Sequence, residues 1–237
     1  IVELETGAIT KAEALIRWNH PTRGLVSPVD FIPLAEEAGL IVEIGYWVFQ
    51  QAVTQVKQCK ELLNVDITIS VNKSPVQFRA ATDHAEWLHY IDEQGLSGNS
   101  VIIEITEGLL MDDHENIINQ FNIFRDAGIE VAMDDFGTGY SSLSYLKKFD
   151  IDYLKIDRSF TQNVAKGSED LVLSEAIINM AHTLGLKVIA EGIETEEQLK
   201  LLTEVGCDYG QGYYFSRPLP EKEFRTMLEK NALLLLS

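Results

Sequence analysis

A series of acidic and amide residues lies inside, or directly after, short β-branched runs of this chain. Glu13 falls in the run 12–17, Asn72 follows the run 67–71, and Glu104 lies within 101–105. Asp134 and Asp135 follow 129–133, Lys155 lies within 151–156, Glu191 follows 187–190, and Gln211 follows a short strand near Asp208. A carboxylate in an apolar run is costly to bury unless it is paired or bound to a metal. Taken alone, Glu13 reads more simply as half of an ordinary salt bridge. Several such carboxylates converging with one Asn read differently. They form an all-oxygen ligand set, suited to Mg²⁺ or Mn²⁺ and not to zinc. Two adjacent aspartates, Asp134 and Asp135, place two ions close together with Asp134 shared, and the ions relieve the repulsion between carboxylates.

The elements that must position these residues follow from the spacing. Asn72, Glu104 and Asp134 are about thirty positions apart, one βα unit each. Amphipathic stretches at 80–94, 115–127, 169–184 and 195–205 alternate with the runs, as βαβ units require. Gly128, Gly185 and Gly206 stand where helices end just before strands. With a strand at 1–4, about eight strands result, enough to close a barrel whose strand ends converge on one rim. An open doubly wound sheet is the competing architecture. It calls for Gly-x-Gly-x-x-Gly after the first strand, which this chain lacks.

With 237 residues the chain can bury a full core as a single domain, 1–237. Its strand-like start at Ile1 reads as a piece cut from a longer protein. It carries 37 acidic against 19 basic residues, a net charge of −18, and so repels bulk nucleic acid. A small anion remains a possible substrate where metal ions reverse the local field. No apolar run is long enough for a membrane segment. Cys59 and Cys207 read as reduced core thiols, which places the domain in the cytoplasm.

A series of motifs starts at Glu13-Ala14-Leu15-Ile16-Arg17-Trp18 and continues through Pro28 to Glu36, Val71-Asn72-Lys73-Ser74-Pro75 and Glu104-Ile105-Thr106-Glu107. It runs on through Asp134-Asp135-Phe136-Gly137-Thr138-Gly139, Leu154-Lys155-Ile156-Asp157, Ala190-Glu191-Gly192-Ile193-Glu194 and Gly210-Gln211-Gly212-Tyr213. Glu-Ala-Leu alone carries no weight, but these motifs in this order are specific, and through them the chain resembles the EAL-domain family of cyclic di-GMP phosphodiesterases. Two positions depart from the expected pattern. Lys11-Ala12 replaces a Gly-containing lead-in, and Lys73 replaces an apolar residue.

The resemblance implies a TIM-like (β/α)8 barrel whose first strand is antiparallel to the rest. It implies Glu13, Asn72, Glu104 and Asp134 around one metal, and Asp134, Asp135 and Glu191 around a second. Lys155 contacts the nucleophilic water and is catalytic together with Glu191 and Glu13. Leu15, Arg17, Asp157 and Gln211 meet the substrate, with Arg17 on a phosphate. Glu107 anchors the loop that starts at Asp135, and Glu194 supports the rim. The implied reaction is hydrolysis of cyclic di-GMP to linear pGpG, using Mg²⁺ or Mn²⁺ and inhibited by Ca²⁺, which ends a bacterial second-messenger signal. Implied partners are a second copy, with the loop 135–146 in the dimer contact, and fused sensory or GGDEF-type domains. A receptor module that binds cyclic di-GMP without cleaving it is the alternative. The presence of every ligand favours the enzyme.

Other residues read as structural. His20 lies in a turn and His182 in a helix. Trp18, Trp47 and Trp87 read as packing in the core or at the rim, and Tyr213, Tyr214 and Phe215 as core filling or a base platform. The segment 31–38 has helical periodicity and suits a lid.

Overall fold

The structure is a computed structural model that describes residues 1–79, 83–111, 114–137, 146 and 149–235. Its main sheet has the order β1 (Val2–Glu3), β10 (Tyr209–Gly210), β9 (Lys187–Ala190), β8 (Tyr153–Ile156), β7 (Glu130–Phe136), β6 (Val101–Thr106), β5 (Thr68–Asn72) and β2 (Lys11–Ala14). All neighbours pair in parallel except β1, which is antiparallel to β10. A bridge between Val2 and Ile9 brings the two edge segments together, so the sheet nearly closes into a barrel. Barrel fold and antiparallel first strand both agree with the expectation. A small hairpin, β3 (Trp18–His20) with β4 (Gly24–Val26), stands outside it.

Strand alternation divides the barrel into two environments, because successive side chains point to opposite faces. Ile103, Ile105, Val131, Met133, Leu154, Ile156 and Val188 point outward and pack with the helices in the largest core. Ile102, Ala132, Tyr153, Ile189 and Tyr209 form a separate cluster inside the barrel. Two residues further along those strands come Glu104, Asp134, Lys155, Glu191 and Gln211. The inner apolar layer is therefore the floor on which the polar layer stands, as in the layered interior of a (β/α)8 barrel.

The helices follow from local signals. α7 (Glu169–Thr183) starts at Ser168, whose hydroxyl accepts from the Leu171 N–H, and carries Glu169 and Asp170 in its first turn. α8 (Glu196–Glu204) starts with a capping box between Thr195 and Gln198. Gly128, Gly185 and Gly206 end their helices at positive φ, as expected. Where a single helix was expected over 80–94, α3 (Pro75–Arg79) comes first and α4 spans Asp83–Glu93. An element outside the expected set is α2 (Ile41–Gln58), which buries Ile41, Gly45, Phe49, Ala52, Val53 and Val56 along one face. Its Trp47 points to solvent, and Trp18 is also largely exposed, whereas Trp87 is buried and stacked on Phe49. α1 (Pro28–Glu37) is helical as expected, and the Ser74 hydroxyl donates to its Glu36 at 2.6 Å.

Candidate active site

Lys155 is the centre of the polar layer. β8 carries it inward, and only 1% of its side chain is exposed. Its Nζ lies 2.8 Å from Glu104 on β6, 2.8 Å from Glu191 after β9, 3.0 Å from Asp134 on β7 and 3.7 Å from Glu13 on β2. Four strands thus deliver four carboxylates to one ammonium. Glu13 is held from both sides, because Asn72 Nδ2 donates to its Oε1 at 2.9 Å and Gln211 Nε2 to its Oε2 at 2.7 Å. Parallel register sets Asn72 directly beside Glu104.

The adjacent aspartates need a special backbone. On a regular strand Asp134 and Asp135 face opposite sides. Here the β7–β8 register shifts between Met133 and Phe136, and Asp135 takes φ +55°, in the left-handed region. The irregularity turns both carboxylates toward Glu191, and ligand oxygens of Asp134, Asp135 and Glu191 lie within 4.8 Å of one another. A strained non-glycine residue at this point is typical of a functional constraint.

One ammonium cannot neutralise this many acids. Burial opposes the charge on Lys155, but Glu104, Glu13, Glu191 and Asp134 outweigh it and hold the lysine well above its ordinary value. Burial also opposes an ionised Glu13, yet Lys155, Gln211 and Asn72 hold it below the usual glutamate range. Burial pushes Glu104 up to about 8, with Lys155 pulling the other way and Glu13 and Asp134 adding to the rise. The same balance of burial, Lys155 and Asp134 leaves Glu191 at about 7. Asp135 is raised by burial and by Asp134. Glu104 Oε1 and Gln211 Oε1 are buried with no hydrogen-bond partner. Excess negative charge, orphaned buried oxygens and an oxygen-only donor set fit a hard divalent cation.

The remaining expected site residues lie around this core. β2 ends at Ala14, shorter than the expected 12–17, so Leu15 and Arg17 sit beyond the strand. Both are exposed, and the Arg17 guanidinium donates to the Ile16 carbonyl at 2.8 Å. Asp157 caps α6 (Arg158–Thr161) by accepting from the Ser159 N–H at 2.9 Å, and its carboxyl lies below the usual range because that bond outweighs burial. Glu107 is buried at the start of the 3₁₀ turn Glu107–Met111. Most of the loop it was expected to anchor, 138–145, lies outside the described residues, and with it much of the expected dimer contact. Glu194 is exposed and lies 3.8 Å from Arg158. His182 pairs with Asp208 at 2.8 Å, and His20 Nδ1 accepts from the backbone of its own turn. Tyr213 and Tyr214 are exposed, which removes them from the core. Gln198 and Thr161 were missed, although the Thr-x-x-Gln spacing at 195–198 was a readable signal.

Known proteins share this arrangement of sequence and fold. A model of the EAL domain matches residues 1–218. The cyclic di-GMP phosphodiesterase NbdA of Pseudomonas aeruginosa is 40% identical over 220 residues, covering 93% of this chain and 28% of that protein. The bifunctional diguanylate cyclase/cyclic di-GMP phosphodiesterase MucR of the same organism is 40% identical over 217 residues, covering 92% of this chain and 32% of that protein. The structure of the PaMucR phosphodiesterase in complex with c-di-GMP matches with a TM-score of 0.88 at 39% identity, covering 94% of this chain and 90% of that one. The chain spans less than a third of the length of both full-length relatives.

Proposed function

Because the chain belongs to the EAL domain family, we propose that it hydrolyses cyclic di-GMP to linear pGpG with Mg²⁺ or Mn²⁺ as cofactor. One observation carries the reading: four carboxylates from four strands surround Lys155, and one of them, Glu104, keeps its Oε1 buried without a partner. Glu13, Asn72, Glu104 and Asp134 would hold one cation, and Asp134, Asp135 and Glu191 a second. When bound, divalent cations supply Lewis-acid polarisation of the phosphodiester and a lowered pKa for the attacking water. The protein's own groups do the rest. Lys155, kept protonated by its neighbours, donates hydrogen bonds and balances negative charge as it develops on phosphorus oxygens. Glu191, at the partly exposed edge of the cluster, is placed to take the proton of the attacking water. The water oxygen forms a new P–O bond in line as the P–O3′ bond breaks, and the 3′-oxygen leaves as a hydroxyl with a proton taken from solvent. Arg17, exposed at the rim with Leu15, takes a substrate phosphate, and Asp157 and Gln211 border the same opening.

The names of NbdA and MucR and the c-di-GMP complex of PaMucR support this substrate. The longer relatives, of which this chain spans less than a third, support a further part of the reading, that this chain acts as the output unit of a multidomain signalling protein. A cytoplasmic location and pairing with a second copy belong to the same proposal. Among the described residues, no helix is long and apolar enough to cross a membrane. The test is chromatography of cyclic di-GMP incubated with the purified chain and Mg²⁺, Mn²⁺ or Ca²⁺. We expect pGpG with the first two ions and none with Ca²⁺, whose looser coordination misplaces the water. Tight binding without pGpG in any metal would replace the enzyme by a receptor.

A further inference from the structure

We propose that Gln198 is a positioning residue that fixes Glu191 against the exit of β8, so that the second half of the cation site is set by one side chain on α8. The proposal rests on the EAL reading above. Gln198 is 6% exposed and uses all four of its hydrogen-bonding positions. Its Oε1 accepts from the Glu194 and Thr195 N–H groups at 2.8 and 2.9 Å. Its Nε2 donates to the Thr161 and Gln162 carbonyls at 3.2 and 2.9 Å. The first pair belongs to the loop that leaves β9 through Glu191. The second pair ends α6, which leads from β8 and Lys155 through Asp157. Thr161 adds a further link, its hydroxyl donating to the Glu191 carbonyl.

A capping box asks less of this residue. There the third helical side chain returns only to the N–H of the capping residue, here Thr195. The other three bonds of Gln198 reach beyond the cap, and two of them cross to another element. The clamp extends to the next strand as well. Ile193 N–H donates to the Gln211 carbonyl at 3.1 Å, and Tyr214 N–H to the Ile193 carbonyl at 2.9 Å. A Cβ on Gly212 would stand 2.1 Å from the Ile193 oxygen, so the segment bearing Gln211 is seated directly on this loop. The strand exits bearing Lys155, Glu191 and Gln211 are thus fixed to one another around Gln198.

Gln198→Glu separates the two roles. A carboxylate still accepts from both N–H groups, as glutamate does in an ordinary capping box, but it cannot donate to the two carbonyls. We expect Gln198→Glu to keep its fold, to bind Mn²⁺ at least tenfold more weakly in the absence of substrate, and to lose kcat with KM nearly unchanged. The added negative charge on its own would favour the cation, so weaker binding marks displaced ligands. Gln120→Leu is the control. Gln120 is a buried glutamine that donates to the Phe78 carbonyl away from this cluster, and its variant should lower Tm while leaving Mn²⁺ affinity as in the parent. Parent-like Mn²⁺ affinity in Gln198→Glu, with or without a fall in Tm, would reduce Gln198 to a helix cap and overturn the proposal. Should that variant not fold, Thr161→Val reports on the same clamp. Several-fold weaker Mn²⁺ binding then supports it, and unchanged binding overturns it. A parent chain that binds Mn²⁺ but leaves cyclic di-GMP intact would end the phosphodiesterase reading and leave the Mn²⁺ comparison standing.

Discussion

Two lysines are buried inside the same barrel, one layer apart. Lys155 sits in the upper layer among Glu104, Glu191, Asp134 and Glu13. Lys11 sits in the lower layer, its Nζ 4.9 Å from the centre of the Tyr153 ring and 5.2 Å from that of Tyr209. Below it Tyr153 donates its hydroxyl to Glu130, and Lys187 reaches the Tyr209 hydroxyl. Burial depresses both lysines. It wins at Lys11, whose pKa is lowered, and loses at Lys155, whose pKa is raised. Desolvation is therefore common to the two, and counter-charge separates them. A ring face compensates an ammonium weakly. Four carboxylates over-compensate it and leave surplus negative charge for further cations. On the proposed reading the lower lysine is a plug and the upper one marks the reaction centre.

The largest effect belongs to Lys155→Met. It leaves the carboxylates around an apolar side chain with no counter-charge, and loss of one partner from a buried ion cluster costs about 3 kcal/mol. Urea unfolding in the presence of a chelator should read this. Turnover of cyclic di-GMP should fall by roughly 10²–10³-fold, the cost of removing one preorganised electrostatic donor. Full activity in this variant would erase the contrast between the layers.

Gln211→Leu comes next. Gln211 does not stand in the proposed ligand set but fixes Glu13 Oε2 at 2.7 Å. Partners that orient a ligand typically contribute about 10–100-fold in metal affinity. Calorimetric titration with Mn²⁺ should show a loss of that size, and an unchanged affinity would restrict Gln211 to the rim.

The upper layer was legible in the sequence because it follows a rule of period two. Polar residues at strand ends were visible as polar breaks in β-branched runs, and the strand count gave the barrel. The lower layer was illegible for the converse reason. Tyr153, Ile189 and Ile102 look like any strand residue, and nothing local says which face is inside. Lys11 was noted as a departure from the family pattern, yet its place over two rings depends on three strands meeting. The bulge at Asp134-Asp135 was equally hidden, since the dipeptide names the ligands and the register shift aims them. Gln198 lay in plain view as a capping glutamine, but its bonds to Thr161 and Gln162 join residues 36 or 37 positions apart. α2 was legible in principle, since its buried residues at 41, 45, 49, 52, 53 and 56 keep helical spacing.

The pH response sharpens the electrostatic side of the comparison. Glu104 at about 8 and Glu191 at about 7 both hold protons at pH 6 in the metal-free chain. Cation binding must displace those protons. Mg²⁺ affinity should therefore rise from pH 6 to pH 8 and level off above it. Stability of the metal-free chain should move the opposite way. These acids have raised folded-state pKa values, so the unfolded chain releases its protons first and stability falls as pH climbs from the ordinary carboxylate range through about 8. Thermal unfolding with chelator across this range checks the sign, and a stability that rises over the same interval would mean the two glutamates are already ionised.

The smallest effect is the most diagnostic of the plug. Lys11→Met exchanges a desolvated ammonium for an unbranched apolar side chain in the same space. The cation–π contacts with Tyr153 and Tyr209 contribute about 0.5–2 kcal/mol. Recovering the desolvation of the charge offsets them, so net stability should change by less than about 1 kcal/mol and turnover should stay as in the parent. The sign can be worked out from the pKa. A lysine whose folded-state value is lowered weakens the fold while it is charged in both states, and that penalty disappears as pH rises through its folded and then its unfolded pKa. Any advantage of Lys11→Met should accordingly be greatest near neutral pH and shrink toward pH values of about 10. A loss of turnover or of Mn²⁺ affinity in this variant would join the two layers into one electrostatic unit, and the distinction between plug and reaction centre would fail.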